Sequence, residues 1–271
     1  MPNAPAPNAP AQTAGVVKAA VVTGGGGGLG RSVALLLARR GWSVAIVDVD
    51  AGAAEEVARS CREAGGQAVA ITADLGSADG PAAMVDRAVE AFGRIDVLVN
   101  NAGFGTCEAF LDMTAAAWDK TLDVNLRGVA LATAAAGRHM AKRRSGRIIN
   151  ITSPASRMAL PNYAAYAASK AGVDSVTRAA AVALAPLGVV VNSVAPGMMD
   201  TPLQRSTEAM LARLEGRADM EAFLAERTRR IPLGRRAECD EVAEAVVWLA
   251  ADAPDYVTAE RLNVSGGLDK D

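Results

Sequence analysis

Five consecutive glycines lie in Thr23-Gly24-Gly25-Gly26-Gly27-Gly28-Leu29-Gly30, directly after a short β-branched run and directly before an amphipathic segment of helical spacing. A glycine turn between a strand and a helix brings free N–H groups and the positive end of a helix dipole up to a pyrophosphate. The run fits two spacings at once. Gly25, Gly27 and Gly30 match G-x-G-x-x-G, whereas Gly24, Gly28 and Gly30 match G-x-x-x-G-x-G. Both are dinucleotide-binding patterns, so the run alone leaves the choice open. Asp48 ends the next apolar run, 18 residues beyond Gly30. A carboxylate there accepts hydrogen bonds from an adenosine ribose and repels a 2′-phosphate. No Lys or Arg follows until Arg59, which favours NAD over NADP. Asp50, the rival for that place, reads as a helix cap.

A second group of residues lies further along the chain. Tyr166-Ala167-Ala168-Ser169-Lys170 sets a phenol and an ammonium on one helix face, about 6 Å apart along the axis. Alone, such a pair says little. Ser153, however, follows the run Gly146 to Thr152, where a strand would aim it into a crevice. Asn100-Asn101-Ala102-Gly103 ends the preceding run, and Asn125 lies in the helical segment between the two.

Strands must stand beneath these residues to bring them to one edge. Continuous apolar runs predict strands at 18–23, 43–48, 67–72, 96–100, 146–152, 189–194 and 261–264. Ala-rich segments of helical spacing alternate with them, at about 29–40, 52–64, 78–92, 114–141, 163–186 and 240–251. That alternation predicts an α/β fold: a Rossmann-type doubly wound parallel sheet of about seven strands flanked by helices, in a single domain spanning 16–271. Ligands of such sheets bind beyond the carboxyl ends of the strands. Residues 203–230 hold no strand but a charged, helix-prone stretch, predicted to be a substrate loop or lid.

Composition narrows the function classes. Of the 271 residues 51% are apolar, and 28 basic against 30 acidic groups leave a net charge of −2. That balance offers no bulk attraction for nucleic acid or membrane. Arg138, Lys142, Arg143, Arg144 and Arg147 read as a solvated helix end. Arg227, Arg229, Arg230, Arg235 and Arg236 flank the lid segment and are either surface charges or anion contacts. Cys61, Cys107 and Cys239 are widely spaced and odd in number, as free thiols in a reducing compartment would be. With His139 the sole histidine, neither a zinc site nor a histidine-based triad is supported, and no metal is expected. Residues 1–15, rich in Pro, Ala and Asn, lack the features of a signal peptide and read as a disordered tail on a cytoplasmic protein.

Taken together over about residues 18–268, these motifs resemble the short-chain dehydrogenase/reductase family. They follow that family's order: T-G-x-x-x-G-x-G at 23–30, Asp74-Leu75, N-N-A-G at 100–103, Asn125, Ser153, Y-x-x-x-K at 166–170 and Pro196-Gly197-x-x-x-Thr201. Tyr166, thirteen residues after Ser153, fits the family interval, whereas Tyr163 has no lysine four residues on. The resemblance implies hydride transfer between a nicotinamide and a secondary alcohol or ketone, such as a polyol or cyclic alcohol. Tyr166 would be the general acid/base, Lys170 its cation and a holder of the nicotinamide ribose, Ser153 the binder of the substrate oxygen, and Asn125 the anchor of a water beside Lys170. Thr23, Gly24, Gly28, Leu29 and Gly30 would hold the pyrophosphate. Asp74 and Leu75 would border the adenine, Asn101, Ala102 and Gly103 its ribose, and Pro196, Gly197 and Thr201 the carboxamide side. The expected substrate pocket comprises Ser153, Pro154, Ala155, Leu160, Tyr163, Gly197, Met198, Leu203 and Phe104.

Three departures concern loop geometry alone: the surplus glycines, Pro154 after the serine, and Trp42 at a turn position usually small in the family. An NADP-linked ketone or 3-oxoacyl reductase is the alternative, against which Asp48 speaks. A non-catalytic dinucleotide sensor would show a damaged Ser/Tyr/Lys set, and here that set is complete. The family also implies a homo-oligomer, a tetramer or a dimer.

Overall fold

The computed structural model describes residues 17–269; the tail predicted over 1–15 lies outside them. Seven strands form one parallel sheet: β1 (Ala19–Thr23), β2 (Ser43–Asp48), β3 (Ala68–Thr72), β4 (Val97–Asn100), β5 (Gly146–Ile151), β6 (Val189–Pro196) and β7 (Arg261–Val264). Their spatial order is β3-β2-β1-β4-β5-β6-β7, and every pairing is parallel. Chain direction across the sheet reverses between β1 and β4, which makes their carboxyl ends the switch point where ligands collect.

The strands are apolar on both faces because both faces are covered. Val22, Ile46 and Val99 meet Leu29, Val33 and Leu37 of α1 (Gly28–Arg39), with Val57 of α2 (Ala51–Glu63) beside them. Val21, Val47 and Leu98, one residue out of step, point the other way. They pack on Met84 and Val85 of α3 (Gly80–Phe92) and on α5 (Val129–Arg143) through Ala132, Ala136 and Met140. Helix α6 (Ala164–Leu184) buries Lys170, Asp174, Thr177 and Ala181 at helical spacing. Trp42 fits its turn by tucking in at 8% exposure, with Lys18 Nζ 5.2 Å from the ring centroid.

Two predicted segments differ in detail. The single helix over 114–141 is α4 (Ala115–Leu122), then a π-helical stretch (Asp123–Gly128), then α5. Gly128 crosses so near Leu75 that a Cβ would lie 2.6 Å from that residue's carbonyl, and Asn125, inside the stretch, is fully buried. The 203–230 segment is two helices, α7 (Pro202–Leu214) and α8 (Met220–Arg229), around a small core of Leu211, Ala212 and Phe223. The last helix is α9 (Cys239–Val247), packed on α1.

Candidate active site

The glycine turn is fixed from two sides. Thr23 Oγ1 accepts the N–H groups of Asn101 and Ala102, each at 3.0 Å. Asn101 Nδ2 in return donates to the carbonyls of Thr23 (2.9 Å) and Gly24 (3.1 Å). Gly24 and Gly28 have φ of +60° and +50°, and a Cβ on Gly30 would come within 2.1 Å of the Gly24 carbonyl. A Cβ on Gly27 would meet open space. The turn therefore follows the G-x-x-x-G-x-G spacing. The surplus glycine at 26 also has a use: its N–H donates to Asp48 Oδ2 at 3.0 Å, and a Cβ there would crowd that oxygen at 2.9 Å. Asp48 Oδ1 takes the N–H of Asp50. Asp50 caps α2, accepting from Gly52 and Ala53, as its spacing predicted.

A cleft of about 920 Å³ opens at the carboxyl ends of the strands, lined by Gly24, Gly28, Leu29, Asp48, Asp74, Leu75, Asn101, Ala102, Gly103, Ser153, Tyr166, Lys170, Pro196, Gly197 and Thr201. Thr23 and Gly30 brace the turn from behind. Thr201 sits 3.5 Å from the position of a Cβ on Gly28 and caps α7 through Gln204 N. A cavity of about 580 Å³ at the opposite end of the sheet holds none of these residues.

The reacting groups meet inside that cleft. Lys170 is 4% exposed; its Nζ donates to the Ile151 carbonyl at 2.9 Å and lies 5.8 Å from the centre of the Tyr166 ring. Burial lowers the ammonium to about 8, with Asp174 opposing. Burial pushes the Tyr166 phenol up, and the hydrogen-bonding contact with Ser153 pulls it down. Ser153 stands two residues beyond β5 and caps a tight 3₁₀ turn begun by Pro154, a place that suits proline. The serine Oγ accepts from Ala155 N at 3.2 Å.

Several expected residues have other contacts or lie off the cleft. The Asn125 side chain is spent elsewhere: Oδ1 accepts from Phe104 N (3.0 Å), and Nδ2 donates to Phe104 O (2.9 Å) and Ser169 Oγ (3.3 Å). It thus holds the loop after β4 against Lys170, and leaves only its backbone to meet a water. Asn101 likewise uses its amide on the glycine turn. Of the expected substrate pocket, Ser153, Gly197, Leu203 and Phe104 line the cleft, whereas Pro154, Ala155, Leu160, Tyr163 and Met198 do not. Pro154 and Ala155 are buried within the 3₁₀ turn they form. Tyr163 packs beside Cys107 into the α7–α8 core, where burial raises both groups. Met199 and Gln204 take the places at the cleft instead. Of the arginines around α7 and α8, Arg227 and Arg236 are largely buried on the Glu208 carboxylate, whereas Arg230 and Arg235 pair with Glu226 and Glu241 at the surface.

Comparison with known proteins agrees with this geometry. Residues 25–269 match the family model described as enoyl-(acyl carrier protein) reductase. The chain is 43% identical over 251 residues to the cis-4-hydroxycyclohexanecarboxylate dehydrogenase of Sinomonas cyclohexanicum, covering 92% of this chain and 96% of that one. NAD+-bound xylitol dehydrogenase superposes with a TM-score of 0.88 at 31% identity, over 92% of this chain and 98% of the other. A variant of actinorhodin polyketide ketoreductase with NADPH gives 0.89 at 34% identity, over 94% and 98%. The chain belongs to the short-chain dehydrogenase/reductase family. It is an oxidoreductase acting on CH–OH donors or the corresponding ketones. The family uses a nicotinamide dinucleotide, and the cradle at Gly24, Gly28 and Gly30, which a Cβ at Gly30 would block, fits one.

Proposed function

We propose that the protein is an NAD-dependent dehydrogenase of small secondary alcohols, with cyclic alcohols foremost. The observation that carries the cofactor choice is Asp48. Its carboxylate stands at the end of β2 inside the cleft, pinned by Gly26 N–H, where a ribose diol is welcome and a 2′-phosphate is repelled. Similarity to a dehydrogenase of a hydroxylated cyclohexane ring and to a polyol dehydrogenase supports the substrate class. Leu203, Met199 and Phe104 supply apolar walls.

In this reading Ser153 holds the substrate oxygen against Tyr166, and Tyr166 takes the hydroxyl proton as the carbon loses hydride. When bound, the nicotinamide supplies the hydride acceptor. A phenol titrates near 10 and burial raises Tyr166, so a cation must favour the phenolate. Lys170, at about 8, stays mostly charged at neutral pH and provides it. Asn125 keeps the Gly103–Phe104 loop closed over that lysine.

The test is formation of reduced nicotinamide with a panel of cyclic alcohols and polyols, NAD and NADP in parallel, and Tyr166→Phe as control. Turnover with NAD that the mutant lowers by ~10³-fold supports the reading. Preference for NADP with ketones would establish the ketoreductase alternative. Cofactor binding without turnover of any alcohol or ketone would indicate a sensor.

We further infer a homotetramer or dimer in the cytoplasm. Exposed Leu131 on α5 and Val182 on α6, with Trp248 and Tyr256 before β7, offer apolar faces for a second copy, and three free thiols suit a reducing compartment. Light scattering at micromolar concentration decides the oligomer; a monomer sinks it.

A further inference from the structure

Arg261, the first residue of β7, is a buried cation that the mechanism above does not use. Its side chain is 8% exposed and lies between two carboxylates, Asp174 at 9% and Asp269 at 4%. Nη2 stands 2.7 Å from Asp269 Oδ2 and donates to the Ser153 carbonyl at 3.0 Å. Nε stands 3.5 Å from Asp174 Oδ2, and Ser156 Oγ donates to that same oxygen at 2.6 Å. Asp174 is one helical turn beyond Lys170 on α6.

These bonds make a clamp around the end of β5. Lys170 Nζ holds the Ile151 carbonyl, Thr152 Oγ1 donates to the Lys170 carbonyl, and Arg261 holds the Ser153 carbonyl. Of three successive residues leading into the cleft, Ile151 and Ser153 are thus held by buried cations and Thr152 by the Lys170 main chain. The charges also close: Lys170 and Arg261 against Asp174 and Asp269. Isolated buried ions cost several kcal/mol each, so this arrangement is stable only as a set. We propose that Arg261, with Asp174 and Asp269, is a positioning residue for Ser153, fixing its peptide and coupling the last strand to the Ser153–Tyr166–Lys170 proton-transfer site. The inference rests on the roles of those three residues given above.

The groups that bear on Lys170 are Asp174 and Tyr166 from its own helix, Asn125 from the π-helical stretch and Gly103 from the loop against it, and Arg261 and Asp269 behind Asp174. Among them Asp174 opposes the downward push of burial on the lysine. Its neutralisation therefore lowers Lys170 further, so the ammonium is lost at lower pH and the alkaline limb of activity moves downward.

The experiment compares Arg261→Lys, Asp269→Asn and Asp174→Asn, each checked for folding by circular dichroism and melting. In Arg261→Lys and Asp269→Asn, kcat should fall by roughly five-fold or more, with KM for NAD within about two-fold. In Asp174→Asn the alkaline limb of the kcat profile should fall by about half a pH unit or more. A readout free of substrate comes from ¹³C labelling of the three tyrosines, with Tyr166→Phe giving the assignment. The Tyr166 Cζ resonance should shift in all three variants. Folded variants with wild-type kcat, pH profile and resonance overturn the proposal. Should wild type turn over no alcohol, the substrate reading fails, and the Tyr166 resonance alone then decides the clamp.

Discussion

Arg236 grips Glu208 with two guanidinium nitrogens, Nη1 on Oε2 at 2.9 Å and Nη2 on Oε1 at 2.8 Å, across 28 residues of chain. Arg227 of α8 adds Nε on Oε1 at 3.0 Å. Glu208, on α7, is 1% exposed, so one carboxylate ties α7 and α8 to the segment that follows them. Burial pushes Glu208 up, but bonds from Arg236, Gln204 and Arg227 outweigh it and hold the group below 4.5. A depressed carboxylate contributes stability above its unfolded pKa and loses it as pH falls through the folded value. The lid should therefore loosen in acid below about 4.5. Glu208→Gln should abolish that dependence and cost ~3 kcal/mol locally. Hydrogen exchange of α7 and α8 checks both; unchanged protection in the variant would show that the ion pairs do not hold the lid.

The glycine turn gives a graded prediction. Gly30→Ala should eliminate NAD binding or folding, since the new methyl would collide with the Gly24 carbonyl. Gly27→Ala, in extended backbone with no protein atom near the new methyl, should change stability by no more than about 0.5 kcal/mol. Melting curves of the two variants separate them, and equal losses at both sites would refute the turn geometry.

Asp48 and Asp50 stand two residues apart and should behave differently. Asp48→Ala should raise NADP turnover relative to NAD by roughly ten-fold, about 1.4 kcal/mol. Asp50→Ala should cost ~1 kcal/mol of stability through the lost α2 cap and leave the cofactor ratio alone. Steady-state ratios with both cofactors, beside melting curves, test the division. A changed ratio in the Asp50 variant would transfer the role.

Lys170 should make stability depend on pH in the alkaline range. Its folded value of about 8 lies below the ordinary 10.5, so the charged lysine opposes folding fully below about 8. That opposition fades as pH rises to 10.5, and stability gains over this window. Lys170→Met should lose the gain and be inactive, and by leaving a buried carboxylate without its cation it should be less stable than wild type at pH 7. Urea melts at several pH values measure it; a gain that persists in the variant would mean that another group carries the alkaline dependence.

The seven strands were legible because most are runs rich in Val, Ile, Leu and Ala, and β1, β2 and β4 are buried almost throughout; the glycine turn, Ser153, Tyr166 and Lys170 follow from where those runs stop. The π-helical stretch around Asn125 was not. A widened turn hardly disturbs apolar periodicity, so 114–141 reads as one helix. The packing of Tyr163 was not legible because its neighbour Cys107 and the α7–α8 core are brought to it by tertiary packing. Arg261 and Glu208 escaped for the same reason: their partners lie 108 and 28 residues away. One signal was available, an arginine within a strand otherwise expected to be buried, with aspartate soon after it.

The switch point has a kinetic consequence. Ala20 pairs with Val97, and Ala19 N donates to Asp96 Oδ2 across 77 residues, the widest separation of any strand pairing in the sheet. Contacts so distant in the chain close slowly during folding. The glycine turn ends one of these two strands, and Asn101, which braces it, follows the other. A refolding chain thus gains its dinucleotide cradle only when the slowest-closing pair has formed, and the return of NAD binding should time the final stage of renaturation.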